Sequence, residues 1–329
     1  MVRVVKFHEF GDASVLHLEE SAVRTPSENE VRIRVKALGL NRAEALMRRG
    51  TYIETPDLPS GLGLEAAGEI ESVGNGVRGL TPGDAVSVIP TRSMIQWPAY
   101  GELAVFPAGH VVKHPAHLSW TQAAATWMAF ITAYGALVEL ANVQCGEYVL
   151  ITAASSSVGL AAIQIARAKG AYPIAITRTR DKAPALKQAG ADAVIVLSEN
   201  DLAEQVQSLS NGNGARVVFD AVGGPLFGPL TDAMSRDGLL IEYGGLSSEP
   251  TPFPLFTVLG KRLTLRGYLM HEVTENPKRL TRAKAWILDG LNTGRLSPII
   301  DRVFPFEQIV EAHRYLESNA QFGKVVVTI

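Results

Sequence analysis

The sequence predicts an α/β fold in which a doubly wound parallel sheet is joined to a β-rich domain. From about residue 147, short apolar β-branched runs alternate with helical patterns, which is typical of parallel strands linked by helices. The preceding part contains short strands and turns instead, and the C-terminal part leaves the alternation again. The 329 residues suffice for two domains with cores of their own. We place the β-rich domain at 1–122, the α/β domain at 123–264 and a return to the first domain at 265–329.

The N-terminal part shows the two-residue period of strands. Residues 31–40 alternate apolar and basic side chains, which predicts a half-buried strand. Residues 68–90 read as two strands joined by turns rich in Gly, Asn and Pro. The pattern changes at 119–141, which is rich in Ala and predicts a helix, with Ser119 or Thr121 as its N-cap.

The central and C-terminal parts follow a regular order of elements. Strands are predicted at 147–153, 172–178, 193–197, 216–222 and 238–245. Helices are predicted between them at 158–169, 181–189, 201–209 and 227–235. Beyond these we expect a strand at 263–270, a helix at 277–293 and a last strand at 324–329 that rejoins the N-terminal domain.

Composition narrows the partners and the compartment. The net charge of −2 gives no reason to expect nucleic acid or an anionic membrane surface as a partner. The one cysteine, Cys145, allows neither a disulfide framework nor a cysteine-based zinc site, which favours a reducing compartment. No segment approaches about 20 uninterrupted apolar residues. We therefore expect a soluble, cytoplasmic protein.

A turn rich in serine joins the strand at 147–153 to the next helix. In the dinucleotide fingerprint, three glycines provide the tight turn, the close approach of the pyrophosphate and the helix–strand packing. Their positions are Ala154, Ser156 and Gly159 here, so only the packing glycine is present. The helix N-terminus can still bind phosphate through its N–H groups, while serine is also a common N-cap, and both roles can hold together. The candidate cofactor residues of this turn are Ala154, Ser155, Ser156, Ser157, Val158 and Gly159.

The end of the second strand indicates which dinucleotide would bind. Enzymes selective for NAD usually carry an acid there that binds the ribose 2′-hydroxyl. Here Thr177, Arg178, Arg180 and Lys182 occupy the region, and no acid ends the strand. Cationic side chains pair with a 2′-phosphate, so the expected cofactor is NADPH. The alternative is a solvated loop with ordinary surface charges.

Three histidines, His110, His114 and His117, raise the question of a metal site. Their spacing would suit one helical face, but Pro115 interrupts a helix there and no carboxylate lies close by in the sequence. We therefore expect no bound metal.

Five segments together resemble a known family: 39–52, 59–86, 123–137, 147–171 and 220–227. They cover nearly the whole chain in the right order and are similar to the zinc-independent quinone oxidoreductases, a branch of the medium-chain dehydrogenase/reductase superfamily. The resemblance implies a GroES-like catalytic domain, a Rossmann domain that binds NADPH, and a homodimer paired through the edge strand at 263–270.

The resemblance also implies where zinc ligands have been replaced and which residues form the site. Where zinc-dependent relatives carry Cys-His and His-Glu pairs, this chain has Asn41-Arg42 and Leu64-Glu65. Asn41 and Tyr52 match polar groups that face the substrate. Leu46 and Leu197 depart from tyrosines of some relatives. The matched cofactor residues are Thr132, Lys182, Val222, Tyr243, Gly244, Gly245, Phe322, Gly323 and Lys324.

These observations predict an NADPH-dependent, metal-free reductase of quinones or α,β-unsaturated carbonyls. A conjugated acceptor delocalises the charge that hydride addition creates, so it needs less help than a simple ketone. Asn41 and Tyr52 would stabilise the oxyanion, although Asn41 could be an ordinary turn residue and Tyr52 a packing residue. Alternatives are a reductase of one enoyl thioester or other biosynthetic intermediate, a non-catalytic NADPH sensor, and, least supported, a zinc alcohol dehydrogenase.

Overall fold

The computed structural model describes residues 1–198 and 201–329, whose contacts divide into two compact units. Unit 1 consists of Met1–Met128, Thr274–Asn292 and Ser297–Ile329, and unit 2 consists of Ala129–Val273 and Thr293–Leu296. The boundaries predicted at 122 and 264 mark changes of sequence pattern, whereas these units are defined by contacts, and the sequence-based boundaries stay a prediction.

Sixteen strands are assigned within the described residues. They are β1 (Val2–Phe7), β2 (Leu16–Ser21), β3 (Glu30–Gly39), β4 (Ser60–Gly61), β5 (Ala66–Val73), β6 (Ala85–Val88), β7 (Leu103–Pro107), β8 (Val111–Lys113), β9 (Tyr148–Ile151), β10 (Tyr172–Thr177), β11 (Ala193–Val196), β12 (Ala215–Asp220), β13 (Met234–Glu242), β14 (Thr264–Gly267), β15 (Ile300–Pro305) and β16 (Lys324–Thr328).

Eleven α-helices are assigned in the same ranges, and none of them is both long and apolar enough to cross a membrane. They are α1 (Arg42–Arg48), α2 (Trp120–Ala124), α3 (Trp127–Tyr134), α4 (Ser157–Ala168), α5 (Ala183–Gln188), α6 (Leu202–Leu209), α7 (Phe227–Asp232), α8 (Leu255–Lys261), α9 (His271–Thr274), α10 (Pro277–Asn292) and α11 (Ile309–Glu317).

Unit 2 is built on a six-stranded sheet in the order β11-β10-β9-β12-β13-β14. Every pairing in it is parallel, as predicted from the alternation of strands and helices. The chain runs outward from β9 on one side and from β12 on the other, and ligands of such sheets bind at this switch point, beyond the carboxyl ends of the strands. Buried side chains of α6 and α7 pack on the sheet, among them Val206 and Leu230.

Unit 1 contains a seven-stranded sheet and a smaller sheet in the order β2-β1-β4. Strand β3 is central because it pairs with β5, β7 and β16, all antiparallel. Val31, Ile33 and Val35 are buried, while Arg32 on the opposite face pairs with Glu71, which confirms the predicted half-buried strand. The pairing of β16 with β3 also confirms that the last strand rejoins the N-terminal domain.

The prediction of a single helix at 119–141 is wrong. The Ser119 hydroxyl caps α2 as predicted, but the helix ends after Ala124. The Thr126 hydroxyl donates to the Gln122 carbonyl at 2.7 Å, and side-chain bonds of this kind compete with the backbone ladder. A new helix, α3, begins at Trp127 and is followed by a π-helical turn at Gly135–Leu140.

The predicted helix at 227–235 is also too long. Helix α7 ends at Asp232, and Met234 is already the first residue of β13, where it is buried in the core of unit 2. The apolar Met234 therefore fits the helical pattern and the buried strand equally well, and tertiary packing decides for the strand.

Candidate functional site

The serine turn between β9 and α4 has the geometry of a helix N-terminus with free donors. Ser156 is the N-cap, and its hydroxyl accepts a hydrogen bond from the Gly159 N–H at 3.0 Å. The capping role of the serine turn is thus confirmed. The N–H groups of Ser157 and Val158 have no carbonyl acceptor inside the helix, since they lie in its first turn. N–H groups at the N-terminus of a helix are suited to binding an anion.

Gly159 is present because the turn and the helix approach closely. A Cβ at this position would lie 2.7 Å from the carbonyl oxygens of both Ala153 and Ala154. Ala153 itself has a φ of +44°, which bends the chain sharply after β9. Of the three fingerprint glycines, the sequence therefore retains the one whose replacement would clash with the backbone.

A lysine stands beside this turn. Lys182 Nζ donates to the Ser155 hydroxyl at 3.3 Å, so the structure brings together two candidate residues 27 positions apart. Thr177, the last residue of β10, is buried and donates to the Thr179 carbonyl at 3.2 Å. Arg178 follows it and is exposed. A cation thus adjoins the helix terminus at the end of the second strand.

Strand β12 ends on a buried carboxylate, Asp220, that sequence reasoning missed. Its Oδ1 accepts from the Thr152 hydroxyl at 2.5 Å and from the Val222 N–H at 2.9 Å. Its Oδ2 accepts from the Gly223 N–H at 3.0 Å. Asp220 therefore fixes the loop that carries the candidate Val222. The sequence signal that could have revealed Asp220 is an acidic residue at the end of an apolar run.

The loop after β13 lies against the loop after β12. The Tyr243 ring stacks on Phe219 at 3.9 Å between centroids, and burial raises the pKa of its hydroxyl. A Cβ on Gly244 would come within 3.0 Å of the Ala221 carbonyl oxygen, so this position requires a small residue. Gly245 is exposed. The remaining candidate of unit 2, Thr132, is buried in α3.

In unit 1, Asn41 precedes α1 and is only 7% exposed. Its Nδ2 donates to the Gly39 carbonyl at 3.0 Å and to Glu44 Oε1 at 3.3 Å. Its Oδ1 accepts from Lys324 Nζ at 2.6 Å. The chain itself thus occupies all sides of the amide, and a role toward a substrate oxygen stays a prediction.

Lys324 lies in a buried ion pair. Its Nζ is 2.6 Å from Glu65 Oε2, and the two side chains are 1% and 0% exposed. Glu65 Oε1 accepts the Met128 N–H at 3.0 Å, which gives α3 an acceptor near its beginning. The resemblance suggested a cofactor contact for Lys324, but the structure gives its ammonium two partners inside unit 1. That contact stays a prediction.

The two residues before Lys324 lead directly into β16, which begins at Lys324. Gly323 has a φ of +113°, and a Cβ there would lie 2.5 Å from the Ile299 carbonyl oxygen. Only glycine satisfies both conditions. The neighbouring candidate, Phe322, is half-buried.

Glu44 is a second polar residue that sequence reasoning missed. Burial raises the pKa of its carboxyl group, which accepts from the N–H groups of Asn41 at 2.7 Å and Leu64 at 3.0 Å and from the Tyr100 hydroxyl. It therefore orients Asn41 and the segment around Leu64 together. The N-x-x-E capping pattern that begins at Asn41 could have revealed it.

Tyr52 follows α1 and retains a neutral hydroxyl. Burial, and then the charges of Glu54 and Glu44, raise its pKa to about 12. Its hydroxyl makes no hydrogen bond within residues 1–198 and 201–329. Tyr52 is thus available as a donor over the physiological pH range.

The donors around Asn41 do not fit a zinc ion. In the described part of the chain, no group of three or more His, Cys, Asp or Glu side chains could hold a metal. Arg42 donates to the Leu316 carbonyl, Leu64 offers no ligand atom, and Glu65 is paired with Lys324. At the positions that the resemblance matches to zinc ligands, Asn41, Arg42 and Glu65 are therefore bonded to other groups of the chain.

Comparisons with known proteins match both units. A family described as alcohol dehydrogenase GroES-like domain matches residues 27–116, and one described as zinc-binding dehydrogenase matches residues 157–286. Quinone oxidoreductase 1 of Escherichia coli is 33% identical, over 98% of each chain. These matches confirm the GroES-like and Rossmann components of the predicted fold.

Solved structures agree over the full length. The crystal structure of the Escherichia coli quinone oxidoreductase complexed with NADPH has a TM-score of 0.91, with 31% identity, 99% of this chain and 100% of that chain covered. The CurK enoyl reductase has a TM-score of 0.88, with 28% identity and 99% of each chain covered.

The buried pair leads to a stability prediction. Lys324→Met leaves the Glu65 charge without its ammonium partner, which should cost about 3–5 kcal/mol of unfolding free energy in urea titrations. Lys36→Met is the matched control, because the Lys36–Glu69 pair spans 3.6 Å at the surface and should cost less than about 1 kcal/mol. The double change Lys324→Met with Glu65→Leu should recover much of the loss. Equal losses for Lys324→Met and the control would contradict the account.

Proposed function

The chain belongs to the quinone oxidoreductase branch of the medium-chain dehydrogenase/reductase superfamily, and we propose that it is an NADPH-dependent, metal-free reductase of quinones or α,β-unsaturated carbonyls. One observation carries the proposal: the free amino end of α4 stands beside Lys182 at the switch point of a parallel sheet. The similarity to an enzyme crystallised with NADPH supports it.

In this proposal, the N–H groups of Ser157 and Val158 bind the pyrophosphate, with serine hydroxyls as further donors. Lys182 and Ser155 bind the 2′-phosphate, because an ammonium and a hydroxyl together offer several donors to phosphate oxygens. When bound, NADPH supplies the hydride. The further proposed contacts are Thr132, Ala154, Ser156, Gly159, Thr177, Arg178, Val222, Tyr243, Gly244, Gly245, Phe322, Gly323 and Lys324.

Asn41 and Tyr52 are proposed to stabilise the oxyanion that forms on the acceptor. The ammonium of Lys324 on Asn41 Oδ1 polarises the amide and strengthens its N–H groups as donors. To reach the substrate, Asn41 Nδ2 would give up its longer hydrogen bond, which is 3.3 Å to Glu44, and donate to the carbonyl oxygen of the substrate instead. Tyr52, protonated at neutral pH, donates from its free hydroxyl and can pass its proton to the reduced product.

A second candidate function is the reduction of an enoyl thioester, which the similarity to the CurK enoyl reductase favours. The same donors would serve, since an enoyl thioester also places developing charge on a carbonyl oxygen. NADPH oxidation measured with a quinone, an enone and an enoyl thioester separates the two. Turnover of the thioester alone would favour the second candidate, and tight NADPH binding without any turnover would favour a non-catalytic sensor.

We further propose a homodimer formed through the edge of the unit 2 sheet. Strand β14 pairs only with β13 among the described strands, so its outer edge is open. The adjoining α8 exposes Phe256 at 84% and Leu259 at 63%. Exposed apolar side chains beside an open strand edge are typical of an association surface.

The 2′-phosphate assignment leads to a test with two cofactors. Lys182→Ala should raise the Kd for NADPH at least about tenfold and leave the Kd for NADH nearly unchanged, because only NADPH carries the 2′-phosphate. Fluorescence titration measures both constants. Lys187→Ala, which removes an exposed lysine of the following helix, is the control and should change neither. Equal effects of Lys182→Ala on both cofactors would argue against the assignment.

Tyr52 can be tested by removing one oxygen. Tyr52→Phe should lower kcat by about tenfold to a hundredfold with the preferred acceptor and leave the Kd for NADPH unchanged, because the donor acts on the developing oxyanion. Steady-state kinetics gives the first value and fluorescence titration the second. Tyr172→Phe, at an exposed tyrosine of β10, should leave both unchanged. An unaltered kcat in Tyr52→Phe would mean that this residue only packs.

The dimer proposal is tested by the molecular mass of the protein in solution. The wild-type protein should sediment as a dimer, and Phe256→Glu should shift it toward the monomer because a charge would be buried at the contact. Val303→Glu introduces the same charge at an exposed apolar position of unit 1 and should remain dimeric. Dimers of unchanged stability in Phe256→Glu would place the contact elsewhere.

A further inference from the structure

Two carboxyl groups meet at the ends of neighbouring parallel strands in unit 2. Asp220 is the last residue of β12, Glu242 is the last residue of β13, and the two are register partners. Their side chains therefore leave the sheet on the same face. Asp220 is completely buried, and both carboxyl oxygens of Glu242 are shielded from solvent and accept no hydrogen bond from the described residues. Two buried carboxylates this close repel each other strongly, whereas a carboxyl and a carboxylate share a hydrogen bond.

Asp220 already has the partners of an ionised group. Three donors point at its two oxygens: the Thr152 hydroxyl and the N–H groups of Val222 and Gly223. The proton of the pair therefore belongs on Glu242. Burial, and then the charge of Asp220, raise the pKa of Glu242 to about 9.

The two loops after these strands are bound to each other. The Ala221 carbonyl accepts from the Leu246 N–H at 3.0 Å, and the Val222 carbonyl accepts from the Ser247 N–H at 2.9 Å. The Tyr243 N–H donates to the Asp220 carbonyl at 2.9 Å. Any displacement of one strand end therefore moves both loops, which carry four of the proposed cofactor contacts.

Few other charges act on Glu242. Asp220 faces it from β12, and the Tyr243 hydroxyl, whose pKa is raised by burial, belongs to the residue that follows Glu242. On β14, Arg266 is next to Gly267, the register partner of Glu242, but the Arg266 side chain is paired with Glu272 at 2.7 Å. The charged residues around the opposite end of β13, on this strand and on the segments packed there, are Asp232, Arg236, Asp237, Lys261 and Arg262.

We propose that Asp220 and Glu242 share one proton and act as positioning residues, which hold the loops after β12 and β13 in the arrangement that binds NADPH. This inference rests on the proposed function for its ligand. While Glu242 is protonated, it donates to Asp220 and ties the two strand ends together. Loss of the proton places two like charges on adjacent strands, separates the ends and displaces both loops.

The direction of the stability effect follows from the same pair. The pKa of Glu242 in the folded chain lies above the ordinary value of 4.5. The proton therefore contributes its full stabilisation below about pH 4.5, and this contribution is lost progressively as the pH rises toward about 9. Glu242→Gln keeps a donor to Asp220 and removes the titration, so its Tm should fall less than that of the wild type over this range.

Cofactor binding provides the decisive test. The Kd for NADPH, measured by fluorescence from pH 7 to pH 10, should be flat in the wild type up to about pH 9 and then rise, by as much as about tenfold per pH unit. In Glu242→Gln it should stay flat through this region. Glu249→Gln, which removes an exposed carboxylate near the same loops, should retain the wild-type profile. A parallel rise in Glu242→Gln and the wild type would overturn the inference.

A spectroscopic measurement on the wild type does not depend on any variant. Infrared difference spectra should show a protonated carboxylic acid at pH 7 that disappears around pH 9, and the absence of that band would overturn the shared proton. If NADPH binds at no pH while the band and the Tm difference are present, the proposed function fails and the carboxyl pair stands. If NADPH binds well but the band is missing, only this inference fails.

Discussion

The parallel alignment of six strands in unit 2 is the constraint on which the proposed cofactor site depends. Because all six run the same way, their carboxyl ends lie along one edge, and the chain leaves each strand there. The start of α4, the lysine after β10 and the carboxyl groups that end β12 and β13 are therefore neighbours, although they are far apart in the sequence. A pyrophosphate site without the usual glycines is then possible, because the helix N-terminus supplies its donors whichever side chains form the turn.

In unit 1, a buried ion pair lies at the positions that the resemblance matches to zinc ligands. The ammonium of Lys324 binds Glu65 and Asn41 there, inside the core. Burying an ion pair gains little net stability, so its value lies in the geometry that it fixes. With Glu44 on its other side, the Asn41 amide has a single orientation. In the proposed function, this amide is the polarised donor that stabilises the oxyanion.

The sequence predicted the elements of this fold better than the contacts between them. The alternation in β3, the parallel sheet and the Ser156 cap follow from local pattern, and the structure confirms them. The break after α2 did not follow, because the Ala-rich pattern continues across it, and contacts near it such as that of the Met128 N–H with the Glu65 carboxylate, 63 positions away, form only on folding. The bonds of Asp220 and Glu44 were missed for the same reason: spacing along the chain shows a residue's type and face, whereas partners and burial arise only on folding. The catalytic assignments came from resemblance and remain proposals.

The account depends most directly on the choice of cofactor. The measurement that tests it is the ratio of kcat/KM for NADPH to that for NADH, determined with the same quinone acceptor at neutral pH. Cationic side chains at the end of the second strand, with no acid to bind a ribose 2′-hydroxyl, predict a ratio well above one. A ratio below one would contradict the account, because Lys182 and the serine turn would then not form the 2′-phosphate site.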